Sequence, residues 1–295
     1  MDFSSRRHGG GSGSWHRAEL DGAEIFVSGT DFGQTTVARK GGQVLRWVPS
    51  GRPDVLWVSD RPIMSGPGAV RGGIPICWPW FGPHRDDPKQ PQHGLVRTSL
   101  WDLEDPGDDG ALRLRAPEPV LGGLVAALEV RGGETLSLSL ITTNVGTRPA
   151  TITEALHTYF RVGGLKTLRV GGLDGCDYAD SADPRAAGQP FGPIKTQVGP
   201  VMFEGRELNR IYDHAGACTL IDAGLGRLIR IEKEGSESTI VWNPGSEKAR
   251  TFADLSPGAH EQFVCIESGT AGPRSIVLAA GETHTLSVTY SVEDL

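Results

Sequence analysis

The segment ETLSLSLIT, residues 134–142, alternates apolar and polar side chains with a strict period of two. Leu136, Leu138 and Leu140 therefore point to one face of an extended strand, while the serines and threonines between them point to the other. The segment THTLSVTYSV, residues 283–292, follows the same period with leucine, valine and tyrosine. Both segments are typical of strands in an antiparallel sheet that buries one face.

Shorter segments with this period occur along the whole chain, separated by turn-forming segments such as DPGDDG and EGSES. About twenty strand-like segments joined by short turns predict an all-β fold, built as one large antiparallel β-sandwich. No repeat of fixed length supports a propeller instead. GSEKARTFADL, residues 245–255, could add a turn or two of helix. The shorter strand-like segments are ALRLRA (111–116), LVAALEV (124–130), GRLIRIEK (226–233) and STIVWN (238–243).

The length of 295 residues would allow one large β domain or two average ones. Residues 1–14 are rich in glycine and serine and have almost no apolar side chains, which predicts a disordered tail. No linker-like segment interrupts residues 15–295. We therefore predict a single β-sandwich domain over that range.

The charge balance limits the partners of the protein. The 36 Asp and Glu residues exceed the 29 Lys and Arg residues, which gives a net charge of -7. This balance argues against nucleic acid and anionic membranes as the main partner, because both bind basic surfaces. No apolar run reaches the ~18 residues of a membrane span, and no signal peptide opens the chain. We predict a cytoplasmic protein, expect a monomer, and expect a small molecule as the partner.

The four cysteines, Cys77, Cys176, Cys218 and Cys265, are scattered and form no CxxC pair. In a chain of this length without a secretion signal, this arrangement favours reduced thiols, mostly in the core. Two disulfides are the alternative. The pattern therefore predicts a protein of a reducing compartment.

Common cofactor and metal motifs do not match. GPGAVRG, residues 66–72, has the wrong spacing for a dinucleotide-binding loop, and no strand and helix flank it. His84, Asp86, Asp87 and His93 lie close in sequence, but their spacing fits no standard set of metal ligands. We therefore expect a solvated loop at HRDDPK and predict neither a metal nor a cofactor.

Four clusters of polar and aromatic residues stand out from the strand pattern. RGGIPICWPWFGPH, residues 71–84, combines one arginine with aromatic residues, prolines and glycines, which is typical of an ordered loop with an apolar lining. The other three clusters are KQPQHGLVRTSLWDL (89–103), TEALHTYFRV (153–162) and EQFVCIESG (261–269).

Alternation places one titratable residue of each of the last two clusters on a partly apolar face. His157 falls inside a predicted strand and Glu267 at the end of another. A carboxyl group among apolar neighbours has a raised pKa, which suits a general base near neutral pH. A hydrogen-bonded sheet histidine and a solvated glutamate are the alternative interpretations. The neighbours on the same face are Ala155 and Tyr159 for His157, and Phe263 and Cys265 for Glu267.

In this order, the clusters resemble the hexose-6-phosphate mutarotases (glucose-6-phosphate 1-epimerases) of the aldose 1-epimerase superfamily. The resemblance runs from about Arg71 to Glu267 and rests on several motifs that agree. It implies a single large antiparallel β-sandwich, as the alternation also predicts. The motifs are RGGIP, WFG, PQHGLVR, EALHTYFRV, RIY, VWNP, EKA, ADL and FVCIE.

The resemblance also implies roles for individual residues. His157 would be the general acid and Glu267 the general base. Arg71, Gln92 and Arg97 would bind the sugar phosphate, because guanidinium groups hold phosphate through paired, charge-assisted hydrogen bonds. His93, Asn209 and Trp80 complete the predicted substrate-binding set, and Trp78, Trp80 or Phe81 would shape the pocket.

Asn209 departs from the family pattern, which has an aspartate immediately before RIY. An amide keeps one acceptor and adds two donors, so it can hold sugar hydroxyls without a negative charge. We predict that Asn209 lines the pocket and binds substrate without transferring protons. A turn residue that points at solvent is the alternative.

The implied chemistry needs only these residue types. Exchange of α and β anomers requires a base at the C1 hydroxyl and an acid at the ring oxygen, with both roles reversed on closure. A mutarotase of free aldoses, a non-catalytic carbohydrate-binding protein and a structural sandwich remain as alternatives. The sequence does not determine which hexose phosphate is preferred or whether free sugars are accepted.

Overall fold

The structure is a computed structural model that describes residues 14–104, 109–117, 122–183 and 191–295. The tail predicted to be disordered lies, except for its last residue, outside the described residues. The described ranges form 22 strands, one α-helix, α1 (Gly245–Ala249), and one 3-10 helix (Ala259–Gln262). The strands are β1 (Trp15–Leu20), β2 (Ala23–Thr30), β3 (Gly33–Ala38), β4 (Gln43–Pro49), β5 (Ile76–Cys77), β6 (Asp102–Leu103), β7 (Leu112–Arg115), β8 (Leu124–Gly132), β9 (Leu136–Asn144), β10 (Ala150–Ile152), β11 (Glu154–Leu156), β12 (Tyr159–Arg161), β13 (Leu168–Gly171), β14 (Asp177–Asp180), β15 (Ile194–Thr196), β16 (Leu208–Asp213), β17 (Cys218–Asp222), β18 (Arg227–Glu234), β19 (Ser238–Asn243), β20 (Phe263–Thr270), β21 (Ile276–Leu278) and β22 (Thr283–Asp294).

Two eight-stranded sheets dominate the fold. The site sheet has the order β15-β14-β16-β19-β20-β11-β5, and β12 also pairs with β20. The back sheet has the order β13-β17-β18-β22-β9-β8-β7-β6. The strand pairings within both sheets are antiparallel. Strands β1 to β4 form a further sheet, and β10 pairs with β21.

The main core lies between the site sheet and the back sheet. Leu136, Leu138 and Leu140 of β9 are at most 1% exposed, so the alternation that defines this strand also buries it. Burial of each leucine side chain stabilises the fold by roughly 1.5–3 kcal/mol. Across the interface the rings of Phe160 and Tyr290 lie 5.4 Å apart, centroid to centroid. The predicted all-β antiparallel sandwich is confirmed.

The outer face of the site sheet carries a second apolar cluster. Tyr159, Trp242 and Phe263 belong to this cluster, and the Trp57 ring packs 4.4 Å from the Phe263 ring. The segment that contains α1 contributes Ala249 to it. This face is therefore covered by loops rather than by a third sheet, and the candidate site lies on it.

Two smaller predictions are confirmed. GSEKARTFADL supplies one short helix, α1, and all four cysteines are free, three of them buried. Neither helix in the described ranges has the length and apolar character to cross a membrane.

Candidate active site

The site is built around two directly opposed side chains. Leu156 pairs with Ser268 and Tyr159 with Cys265, and this continuous register places His157 opposite Glu267. The His157 Nε2 atom lies 3.4 Å from Glu267 Oε1. Two residues that are 110 positions apart in sequence are thus held in contact by sheet pairing.

The strand geometry around the pair differs from prediction in two details. His157 is not inside a continuous strand but in a break between β11 and β12, where its N–H donates to the Pro75 carbonyl at 2.9 Å. Thr158 turns its hydroxyl to the Tyr290 hydroxyl in the core, at 2.6 Å. Glu267 is the fifth residue of the eight in β20 and does not end it. The bond to Pro75 fixes the backbone of His157 in this break, and the continuous strand β20 fixes Glu267.

Both members of the pair are withdrawn from solvent. His157 is 8% exposed and Glu267 is 1% exposed. Burial disfavours the charged form of each group, so it raises the pKa of Glu267 well above its ordinary value. Burial, followed by the charges of His93 and Arg97, lowers the pKa of His157. Because one pKa rises and the other falls, the contact pair holds a single proton over a wide pH range.

Each member also keeps one polar atom without a partner. His157 Nδ1 and Glu267 Oε2 are buried and form no hydrogen bond within the ranges that the structure describes. Unsatisfied buried polar atoms are uncommon in native proteins and each weakens the fold by about 1–3 kcal/mol.

Aromatic side chains hold the imidazole in place. The Tyr159 ring stacks on the His157 ring with a centroid distance of 5.0 Å and an interplanar angle of 11°. Trp242 meets the His157 ring edge-on, with centroids 6.0 Å apart. The ring of His157 can therefore vary little in orientation, as a positioned proton-transfer group requires.

His93 lies beside the pair. Its ring centroid is 5.6 Å from that of His157. The next residue, Gly94, has a φ of +82° and approaches Trp78 so closely that a Cβ atom there would lie 1.9 Å from the Trp78 carbonyl oxygen. Only glycine fits this approach, which brings the histidine loop onto the site.

The tautomer of His93 follows from its contacts. Its Nδ1 atom accepts the Gly82 N–H at 3.2 Å, and burial lowers the pKa of the ring to about 3. The ring is therefore neutral with its proton on Nε2, which leaves this nitrogen as a hydrogen-bond donor.

Arg71 is anchored on the same face. Its Nε donates to Asp254 Oδ2 at 2.8 Å, and its guanidinium lies 4.2 Å above the centroid of the Phe252 ring. Asp254 belongs to the ADL motif, one of those that carry the family resemblance.

Arg97 also lies near the pair. Its Nη2 donates to the Gln92 carbonyl at 3.0 Å, and no carboxylate pairs with it in the described part of the chain. Its charge acts on Glu267, whose pKa it lowers against the larger effect of burial. Gln92 itself is exposed and contributes its backbone oxygen to this contact. Arg71 and Arg97 are thus both brought to the site.

The aromatic residues of the RGGIPICWPWFGPH loop divide between two environments. Trp78 is fully buried in the main core, where its Nε1 donates to Thr142 Oγ1 at 2.9 Å, so its predicted place in the pocket is wrong. Trp80 donates to the Pro91 carbonyl and meets the ring of His84. Phe81 packs against the ring of His93, 5.0 Å away, which places it nearest to the site.

Asn209 lies on the outer face of the site sheet. It pairs with Trp242, which in turn pairs with Cys265 beside Glu267 along β20. Ile211, two residues further on β16, packs on the same face with Ala155 and Cys77. Asn209 is half-buried, and its side chain is directed to the site face, two strands away from Glu267.

The loop at HRDDPK has a local structural role. His84 Nδ1 accepts the N–H groups of Asp86 and Asp87 at 3.2 and 3.0 Å, which closes a turn. Among the residues that the structure describes, no group of three His, Cys, Asp or Glu side chains is arranged to hold a metal ion.

Sequence reasoning missed three residues of the site. Tyr159 was recognised only as a face neighbour of His157, although it stacks on the imidazole. Asp254 and Trp242 lie in the motifs ADL and VWNP, which carried the resemblance without a role. The signal available for Trp242 was its alternation in STIVWN, which puts it on one face with Ile240.

The buried carboxyl of Glu267 predicts a pH-dependent loss of stability. A raised pKa means that the folded protein holds this proton more tightly than the unfolded chain, so the stabilisation is lost as the pH rises above the ordinary value of 4.5. Relative to Glu267→Gln, the parent should lose up to ~2 kcal/mol of unfolding free energy between pH 5 and pH 6.5. Denaturant unfolding at both pH values measures this difference.

The matched control for this measurement is Glu293→Gln. Glu293 is an exposed residue whose pKa is lowered by its hydrogen bond with Arg230, so it does not titrate above pH 5. Its stability difference from the parent should be constant over the same range. A constant difference for Glu267→Gln as well would contradict a raised pKa at Glu267.

Comparisons with known proteins agree with this geometry. A model of the aldose 1-epimerase family matches residues 26–291. A Salmonella typhimurium protein named "Putative glucose-6-phosphate 1-epimerase" is 31% identical over 264 residues, which cover 85% of each chain. A protein of the same name from Cenchrus ciliaris is 31% identical over 261 residues, 82% of this chain and 76% of the relative. The crystal structure of a "putative mutarotase", YeaD from Salmonella typhimurium, superposes with a TM-score of 0.84 at 25% identity, covering 95% of this chain and 94% of the other.

Proposed function

This chain belongs to the aldose 1-epimerase family and is therefore an isomerase, and we propose that its substrates are the α and β anomers of hexose 6-phosphates. The observation that carries the proposal is the opposed His157–Glu267 pair, buried on a face to which Arg71 and Arg97 also contribute. The pair supplies an acid and a base, and the arginines supply cations for a dianionic phosphate. The names of the relatives at 31% identity point to the same substrate class.

We propose the following use of the pair. With the shared proton on His157, the Glu267 carboxylate removes the proton of the C1 hydroxyl while His157 protonates the ring oxygen, so the bond between C1 and that oxygen breaks. The open aldehyde rotates about the C1–C2 bond, and the new C5 hydroxyl attacks the other face of C1. On closure this hydroxyl gives its proton to His157 and Glu267 protonates the C1 oxygen, so both residues return to their starting states. A pair that shares one proton can run this sequence in both directions without a metal or nucleotide.

We propose that the phosphate sits at the end of the site formed by Arg71 and Arg97. Arg71 donates from Nε to Asp254 and also contacts the Tyr159 hydroxyl, and Arg97 donates from Nη2 to the Gln92 carbonyl. A guanidinium has five N–H groups, so each arginine keeps further ones for a ligand. Gln92 lies next to this end and would add a neutral hydrogen bond. Guanidinium groups suit phosphate because they donate two parallel hydrogen bonds to it.

The compartment and assembly state are further parts of the proposal. Four free thiols support a cytoplasmic, reducing environment. We propose that the protein acts as a monomer, because His157, Glu267 and both arginines come from one chain.

Anomer-exchange NMR tests the proposed function. Addition of the protein to equilibrated glucose 6-phosphate should raise the α-to-β exchange rate far above the rate in buffer, and glucose should respond much less. Equal acceleration of both sugars would assign the enzyme to free aldoses. No acceleration of either sugar would indicate a non-catalytic carbohydrate-binding protein.

Asn209 is proposed to bind a sugar hydroxyl. We expect Asn209→Ala to raise KM for glucose 6-phosphate by ~5-fold with little change in kcat, because a neutral hydrogen bond contributes about 1 kcal/mol. Asn209→Asp should keep KM closer to that of the parent. Initial exchange rates over a substrate series measure both constants, and a loss confined to kcat would show that Asn209 takes part in proton transfer instead.

A further inference from the structure

A carboxylate stands next to the proposed phosphate-binding end of the site. Asp254 accepts the Nε–H of Arg71 at 2.8 Å, and the two side chains are only 18% and 21% exposed. A negative charge at such a place would repel a phosphate dianion. Its presence therefore needs a reason other than charge.

The contact at Nε decides which edge of the guanidinium stays available. Asp254 occupies the Nε side, and no other carboxylate reaches Arg71 among the residues that the structure describes. Arg71 also contacts the Tyr159 hydroxyl, and the terminal edge with Nη1 and Nη2 is the one that Asp254 leaves for two parallel hydrogen bonds to a ligand. The Phe252 ring covers one face of the guanidinium plane. Arg71 is thus held on one edge and one face.

Asp254 and Arg71 are also joined through their backbones. The Ser59 N–H donates to the Arg71 carbonyl at 3.0 Å, and the Ser59 hydroxyl donates to the Asp254 carbonyl. Leu255, the next residue, is buried in the outer apolar cluster. The carboxylate therefore has a fixed position from which to hold the arginine.

The guanidinium held in this way acts on the catalytic pair. The pKa of His157 is lowered first by burial, then by His93 and Arg97, and to a smaller degree by the charge of Arg71. Arg71 also lies beside the hydroxyl of Tyr159, whose ring stacks on His157. The orientation of Arg71 is thus tied to the position of the imidazole.

We propose that Asp254 is a positioning residue that determines specificity for phosphorylated sugars by directing the terminal edge of Arg71 toward the substrate phosphate. This inference rests on the proposed hexose 6-phosphate function. Positioning and simple electrostatics predict opposite changes in phosphate binding when the Asp254 carboxylate is removed. If charge alone mattered, removal of the carboxylate would strengthen phosphate binding, whereas loss of positioning weakens it.

The test is Asp254→Ala, measured as KM and kcat for anomer exchange of glucose 6-phosphate. We expect KM to rise by ~10-fold, the effect of losing about one hydrogen bond to a charged group, with kcat nearly unchanged. The isosteric Asp254→Asn keeps one acceptor and should raise KM less, and it replaces the alanine variant if that variant does not fold. Asp60→Ala is the matched control. Asp60 is an exposed carboxylate that accepts a hydrogen bond from the Ser256 hydroxyl, and within the described residues it pairs with no arginine.

A double-mutant cycle separates positioning from a structural role. In an Arg71→Ala background, Asp254→Ala should not raise KM further and should lower it, because Asp254 acts through Arg71 and its unpaired charge then only repels the phosphate. Additive effects, equal losses for glucose and glucose 6-phosphate, or a lower KM in Asp254→Ala would each overturn the inference. An active parent with an unaffected Asp254→Ala variant would reject the inference alone. A parent without activity on glucose 6-phosphate would reject the proposed function and the inference with it.

Discussion

Replacement of His157 by asparagine, or of Glu267 by glutamine, should lower kcat for anomer exchange by ~10²–10⁴-fold, the usual contribution of a positioned proton-transfer group. Each variant keeps the size and polarity of the side chain but cannot transfer the proton. The two groups lie 3.4 Å apart and share one proton, so we expect the double variant to be little slower than the slower single variant. NMR exchange rates with saturating glucose 6-phosphate measure all three.

The chain offers a matched control for both substitutions. Glu154 of β11 and His284 of β22 form a second buried pair, with His284 Nε2 3.1 Å from Glu154 Oε1. Glu154 lies on the core face of the site sheet, opposite to the face of His157. Glu154→Gln and His284→Asn should lower the melting temperature and leave kcat unchanged. Parental exchange rates in His157→Asn or Glu267→Gln would show that the proposed role of that residue is wrong.

The strands could be predicted from sequence because side chains of a strand alternate between its two faces, and only one of these faces is buried. In a strand with one buried face, a shift of the pairing register by one residue would turn all its apolar side chains to solvent. The alternation of Leu136, Leu138 and Leu140 therefore specifies both the strand and its buried face. The same rule assigned Glu267 to one face with Cys265, and the structure places both on the outer face of the site sheet. The fold was therefore predictable from the long alternating strands, and the face of β20 that carries Glu267 was predictable in the same way.

Alternation could not predict the break at His157. The sequence EALHTYFRV continues the period of two through residues 157 and 158, although the strand is interrupted there and the Thr158 N–H donates to the Leu156 carbonyl of its own segment at 3.0 Å. On the β5 side the His157 N–H continues the pairing by donating to the Pro75 carbonyl at 2.9 Å, since proline lacks a donor but keeps its acceptor. That acceptor lies 82 positions away, and no local pattern reports either contact.

The loops were the least predictable part of the site. The alternation of side chains continues through ICWPWF, so Trp78 lies in the main core and Phe81 lies on the other face, next to His93. The prolines and glycines of this segment are typical of a loop, and they gave no reason to expect a strand-like alternation. The ion pair of Arg71 with Asp254 joins segments 183 residues apart. Such a pair depends on how loops fold over the sheet, which neither spacing nor composition encodes.

The charge of the site gives the second large prediction, which concerns Arg97 and Arg71. Arg97→Ala should weaken binding of glucose 6-phosphate by ~1.5–3 kcal/mol, the contribution of a hydrogen bond to a charged group. Arg71→Ala should weaken it by at least as much, because it also leaves Asp254 unpaired beside the phosphate. Titration calorimetry with glucose 6-phosphate and with glucose, in a His157→Asn background that prevents turnover, measures the affinities directly.

The control for the loss of charge is Arg17→Ala, since Arg17 is 67% exposed on β1 and lies outside the site. It changes the net charge by the same amount and should leave the affinity unaltered, because exposed charges at a distance are screened. Arg97 is the cleaner of the two test positions, since it forms no ion pair with a carboxylate in the described structure. Its affinity for free glucose should therefore stay at the parental value while affinity for glucose 6-phosphate falls. If Arg97→Ala lowered both affinities equally, the arginine would be holding the pocket together rather than binding phosphate, and the substrate class would revert to free aldoses.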